Sequence, residues 1–142
     1  MRKQHFTILL FIASAALAGC AGFLPSTPET EPVSNNTAVV ALMASARTDI
    51  ANGKLDAAVA PLERALRIEP RNPVLWQELA KLRLQQGQYQ QAEGMATRSN
   101  SWAGTNKALR AENWRLIGEA RLKRGDRQGA QAAFDMAAEQ AN

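Results

Sequence analysis

Histidine and cysteine are nearly absent from this 142-residue chain, which holds one of each, His5 and Cys20. His5 belongs to an N-terminal segment that reads as a removable signal, so the rest of the chain has no histidine for a Ser-His or Cys-His pairing, and a single cysteine makes no familiar zinc-ligand set. The nine glycines are scattered singly as turn residues, so no glycine-rich loop exists to cradle a phosphate. The acidic pair Glu29 and Glu31 lies in a proline-rich stretch that cannot hold two carboxylates in a fixed geometry. These absences argue against an enzyme, and they leave no cofactor or metal to expect. The net charge of +4 is also less than it looks, because Arg2 and Lys3 sit at the extreme N-terminus. Without them fifteen cations face thirteen acids, too small an excess to point to nucleic acid.

What is present begins with targeting. Met1-Arg2-Lys3 precedes an apolar run from Phe6 to Ala18, then Gly19-Cys20. A positive start, an apolar middle and small residues before a boundary make a secretory signal. The string Leu17-Ala18-Gly19-Cys20 resembles the bacterial lipobox, in which the cysteine thiol takes a diacylglycerol and the chain is cut just before it. That resemblance implies a signal peptide over 1–19 and a lipid anchor at Cys20. Ala21 follows, with no aspartate of the inner-membrane retention kind, which by resemblance to Gram-negative lipoproteins implies the periplasmic face of the outer membrane. Two or three acyl chains hold a protein firmly where one holds it reversibly. Two other readings are open: an ordinary signal-peptidase cut after Ala18 that leaves a free thiol, and an uncleaved span over Phe6 to Leu24.

Residues 20–37 read as the anchor cysteine plus a linker. Pro25, Pro28 and Pro32 forbid a continuous helix, and the hydroxyl- and amide-rich composition buries too little to order itself. Fully extended, at about 3.1 Å per residue, it reaches roughly 50 Å.

The remainder, 38–142, repeats itself. GKLDAAVAPLERAL from Gly53, GQYQQAEGMATRS from Gly87 and GDRQGAQAAFDMAA from Gly125 align in phase. The first two glycines are thirty-four residues apart and the next two thirty-eight, so four extra residues intervene. Ala58, Ala92 and Ala130 follow each glycine by five, then come Leu62, Ala96 and Phe134, then Ala65, Ser99 and Ala137. Eleven residues before the glycines stand Leu42, Trp76 and Trp114; a small-residue slot holds Ala46, Ala80 and Gly118; Pro70 closes the first repeat. The apolar stripe Leu55, Ala58, Val59, Leu62, Ala65, Leu66 has helical period. Over 39–140 this pattern resembles the tetratricopeptide repeat (TPR). The resemblance implies an all-α fold: a right-handed superhelix of about three helix-turn-helix repeats, six helices, over 39–72, 73–106 and 107–142.

The second repeat departs from the pattern after Ala96. Arg98-Ser99-Asn100 replaces an alanine-leucine ending and no proline closes it, so Ser99 to Asn106 reads as a loop. A long helix then follows, with Thr105 or Asn106 as its N-cap. Trp102 is expected to fold back as a plug on the junction of repeats two and three; the other reading makes it an exposed anchor for a partner.

In TPR arrays the first helix of each pair lines a concave groove that takes peptides. By register the groove would show Met43, Arg47 and Ile50, then Gln77, Lys81 and Leu84, then Arg115, Glu119 and Leu122. One cation per repeat would suit an acidic segment, while i,i+4 spacing of Arg115–Glu119 and Glu119–Lys123 equally fits a solvated face. The resemblance thus implies an adaptor that binds another envelope protein or peptide. Self-association through terminal helix faces, such as Ala132, Ala133, Met136 and Ala137, and weak cell-wall glycan binding through Trp102 are the rival functions.

Overall fold

The computed structural model describes residues 33–141, and six helices account for nearly all of them. They are α1 (Thr37–Ala51), α2 (Leu55–Ile68), α3 (Pro73–Gln85), α4 (Tyr89–Trp102), α5 (Lys107–Lys123) and α6 (Arg127–Ala141). No strand occurs among the described residues, and no helix there is long and apolar enough to cross a membrane. The expected signal peptide, Cys20 and the linker up to residue 32 lie outside the described residues.

Two local devices, each used three times, set the repeat. The first helix of every pair starts on an asparagine. Asn36 Oδ1 accepts from the N–H groups of Ala38 and Val39, Asn72 Oδ1 from those of Val74 and Leu75, and Asn106 Oδ1 from that of Leu109. Each satisfies amide donors that the first helical turn cannot pair internally. The same helices end on Gly53, Gly87 and Gly125, at φ of 72°, 75° and 86°. There Lys54 N–H bonds Asp49 O and Gly53 N–H bonds Ile50 O, with the identical pair of bonds at Gly87–Gln88 and at Gly125–Asp126. This is the Schellman arrangement, and its left-handed residue is strained for anything with a Cβ.

Packing differs along the array. Around repeat one and α3 the core is leucine-rich, with Leu62, Leu75, Leu79 and Leu82 all almost fully buried. Between repeats two and three it is smaller, built on Ala80, Ala96, Leu116, Ile117 and Ala133, with Trp114 packed against it. Volume is exchanged between facing slots. Ala46 is matched in register with Leu62 and Ala80 with Ala96, but Gly118 with Phe134, and a methyl on Gly118 would overlap the Phe134 ring.

Two expectations need correction. Ser99 to Trp102 is helix rather than loop, and α4 stops only at Ala103-Gly104, where Gly104 has φ 54°. Serine and asparagine disfavour helix interiors because they compete for their own backbone. Here Ser99 and Asn100 are bonded across to other elements, so that competition is removed. Residues 33–36, read as the end of a free linker, are tied to the domain instead. Asn72 Nδ2 donates to Val33 O at 2.8 Å, and Ser34 Oγ donates to Glu69. On α6, Ala133 and Ala137 are buried at 1% and 3% exposure, Met136 is half-buried and Ala132 is exposed. Small alanines therefore cover most of the last helix's apolar face.

Gly118→Ala should lower stability by about 1–2 kcal/mol, the overpacking cost less the helix propensity gained. Adding Phe134→Leu, which recreates the Ala–Leu match of repeat one, should move the urea midpoint back toward wild type. An unchanged midpoint for Gly118→Ala would contradict the slot exchange.

Candidate functional site

The nine residues expected on the concave face do not share one environment. Met43 is 3% exposed and belongs to the repeat-one core, and Gln77 is 5% exposed within a hydrogen-bond network. Neither can line an open groove, which corrects the register-based assignment for both. Ile50 and Leu84 are half-buried against the two core clusters. Arg47, Arg115, Glu119 and Leu122 are exposed and Lys81 is half-exposed. The cations on this face are partly self-neutralised: Lys81 Nζ lies 3.5 Å from Glu78 and Arg115 3.1 Å from Glu112. Arg115 thus pairs one turn back rather than with Glu119. Among the described residues no Glu119–Lys123 ion pair forms.

A different concentration of polar and aromatic groups occurs where the α2–α3 turn meets the end of α4. Trp102 is 40% exposed, with the Arg71 guanidinium carbon 5.2 Å from its ring centroid. The plug reading of Trp102 is therefore corrected, because the helical course of residues 99–102 carries it to the surface. One turn earlier on α4, Arg98 lies 5.4 Å over the ring of Trp76, whose indole Nε1–H donates to Pro70 O at 2.9 Å. Arg71 also lines an open cleft of about 520 Å³ with Val33, Glu69, Pro70, Asn72, Pro73 and Val74.

Beneath this edge lies a buried polar network joining repeats two and three. Asn113 on α5, fully buried, accepts from Gln77 Nε2 at 3.0 Å. Its own Nδ2 donates to Ser99 Oγ at 2.7 Å and to Asn100 Oδ1 at 3.0 Å. Ser99 Oγ in turn donates to Pro73 O at 2.7 Å. Three helices are thereby linked through three side-chain amides and a hydroxyl.

Comparison with known proteins agrees with the helical-repeat fold. Residues 49–111, from within α1 to the start of α5, match the model of a tetratricopeptide repeat. The globular C-terminal domain of P. aeruginosa LpoP is 42% identical to the chain, with a TM-score of 0.71, over 73% of this chain and 98% of that one. This chain belongs to the tetratricopeptide-repeat family. No curated protein matches it significantly.

As a TPR protein it carries a module of the protein-interaction kind. The polar joint was missed in the TPR register, although two signals bore on it. Ser99 stands where Ala65 and Ala137 stand in the other repeats, and Asn113 where Ala41 and Leu75 stand. A polar side chain in an apolar slot, twice within one junction, signals a buried hydrogen bond once the array is assumed.

Asn113→Leu leaves Asn100 Oδ1 without its donor and Gln77 Nε2 with only its longer bond to Leu109 O, and should cost about 2–3 kcal/mol in urea unfolding. Arg115→Ala, on the concave surface, should shift stability by less than about 0.5 kcal/mol. Equal effects from the two would remove the distinction drawn here between joint and surface.

Proposed function

We propose that this protein is a lipid-anchored periplasmic adaptor, held at the outer membrane through Cys20, whose TPR array binds another envelope protein or a segment of one. The observation that carries this reading is the order of parts in one short chain. A lipobox-like Leu17-Ala18-Gly19-Cys20 is followed by a short proline-rich linker and then by a family of protein-interaction repeats. Similarity to the LpoP domain supports the same class of module at substantial identity. The alanine-covered face of α6 favours an adaptor over self-assembly, since little apolar area is left there for a second copy.

The anchor and the binding role separate experimentally. Cys20→Ala should abolish incorporation of labelled fatty acid and release the protein from the membrane fraction, leaving the urea midpoint of the repeat domain unchanged. Retention of label in Cys20→Ala would refute the anchor assignment. For the binding surface, in-cell crosslinking with wild type and with Arg47→Glu/Lys81→Glu decides whether the concave face contributes. Loss of crosslinked species in the double variant is expected if it does, and an identical partner set would remove the groove from the reading.

A further inference from the structure

We propose that the principal docking surface for the protein partner is the junction edge made by Arg71, Trp76, Arg98 and Trp102, and that what docks there is an acidic, extended segment of that partner. This deepens the adaptor reading and rests on it.

The charge state of the arginines is the first argument. Among the described residues Arg83, Arg115, Arg121 and Arg124 all have carboxylate partners, Arg121 and Arg124 sharing Glu93 at 2.7 and 2.8 Å. Arg71 and Arg98, like Arg47, Arg64, Arg67, Arg110 and Arg127, have none within 4 Å, and what sets these two apart is that each lies over an indole face, at 5.2 and 5.4 Å. A guanidinium over a ring keeps its charge and its N–H fork available, already ordered, for bidentate capture of a carboxylate. Trp76 is itself fixed by its bond to Pro70 O, so part of the ordering cost of binding is met in the free protein. Exposed Arg67, in the last turn of α2, and Lys107, at the start of α5, add cations from the neighbouring helix ends. The one acid of the turn, Glu69, is engaged by Ser34 Oγ and by Asn72 Nδ2 at 2.7 Å.

Shape is the second argument. The open cleft that Arg71 lines, about 520 Å³, has Val33, Pro70, Pro73 and Val74 in its wall beside Glu69 and Asn72, and it has room for an apolar side chain next to the charged sites. Ile68, 45% exposed, and Trp102 add apolar surface at the same turn. Tryptophan and arginine around a pocket are the residue types in which binding energy concentrates. Carboxylates flanking an apolar residue on an extended chain satisfy both features. Extended chain places apolar and acidic side chains a few ångströms apart on one strand, as the cleft and the arginines require, whereas a bilayer presents its anionic headgroups outward and keeps its acyl chains beneath them, so the partner is a protein segment.

The test uses the full chain in detergent micelles and two defined probes, Ac-Glu-Asp-Phe-Pro-Glu-Asp-NH2 and Ac-Lys-Lys-Phe-Pro-Lys-Lys-NH2. Binding is read from the indole N–H resonances. The acidic peptide should shift the signals of Trp76 and Trp102 and bind more weakly as salt rises. Its affinity should fall about tenfold or more in Arg71→Glu and in Arg98→Glu, and stay within about twofold in Arg115→Glu. Circular dichroism checks that each variant is folded, and Arg71→Lys, which keeps charge but not the planar fork, should lie between. Equal binding of both peptides, or of neither, overturns the proposal. So does attachment to phosphatidylglycerol-containing vesicles that Arg71→Glu and Arg98→Glu abolish while the peptide shows no dependence on either. In cells, a photoreactive phenylalanine analogue at position 102 or 119 separates this edge from the adaptor reading. Protein crosslinks from 102 that Arg98→Glu removes support the edge; crosslinks from 119 alone overturn the edge and keep the adaptor. Protein crosslinks from neither position overturn both.

Discussion

The fully buried amide of Asn113 is the contact on which the second half of the array depends. A primary amide has two donors and an acceptor, and burying it is unfavourable unless they are met. Gln77, Ser99 and Asn100 meet them, and Ser99 passes its own proton on to Pro73 O. Because all of these partners come from α3 and α4, the network holds only when repeats two and three sit in one register. It also explains why α4 runs on. Residues that would otherwise bond their own backbone are occupied elsewhere, the helix continues to Trp102, and the indole arrives under Arg71. Surface and joint are therefore parts of one arrangement.

The two halves of the array are held by different chemistry. Repeat one relies on leucine packing, a non-directional force that tolerates small adjustments. The junction of repeats two and three has alanine and glycine at its close approaches and makes up its specificity with directional bonds. Gly118 facing Phe134 shows how the family's small slot can shrink when its opposite number grows. The sum of the pair matters more than either residue.

Much of the fold was legible in the sequence because its signals are local and periodic. The glycines at 53, 87 and 125 mark three turns with positive φ, and of the two candidate caps, Thr105 and Asn106, it is Asn106 that starts the long helix. Asn36 and Asn72 perform the same capping role, but Asn36 was read as linker and Asn72 drew no notice at the end of the first repeat, since a cap is recognised only once the helix start is known. The binding surface was less legible. Register puts Met43 and Gln77 on a concave face, but whether a residue there is open depends on how closely the next repeat approaches, and that is a property of the joint. The pairing of Arg71 with Trp102 spans thirty-one positions, so neither composition nor periodicity could suggest it.

The attachment of residues 33 and 34 to Glu69 and Asn72 also has a mechanical meaning. Tension carried by the chain ahead of Val33 does not peel α1 away from its free end, one hydrogen bond at a time. It meets the Asn72–Val33 and Ser34–Glu69 bonds first, which tie this segment to the α2–α3 turn. Asn72 is at the same time the N-cap of α3. A pull strong enough to move it would loosen the first turn of α3 and the cleft beside Arg71, making this corner of the domain the place where load is felt.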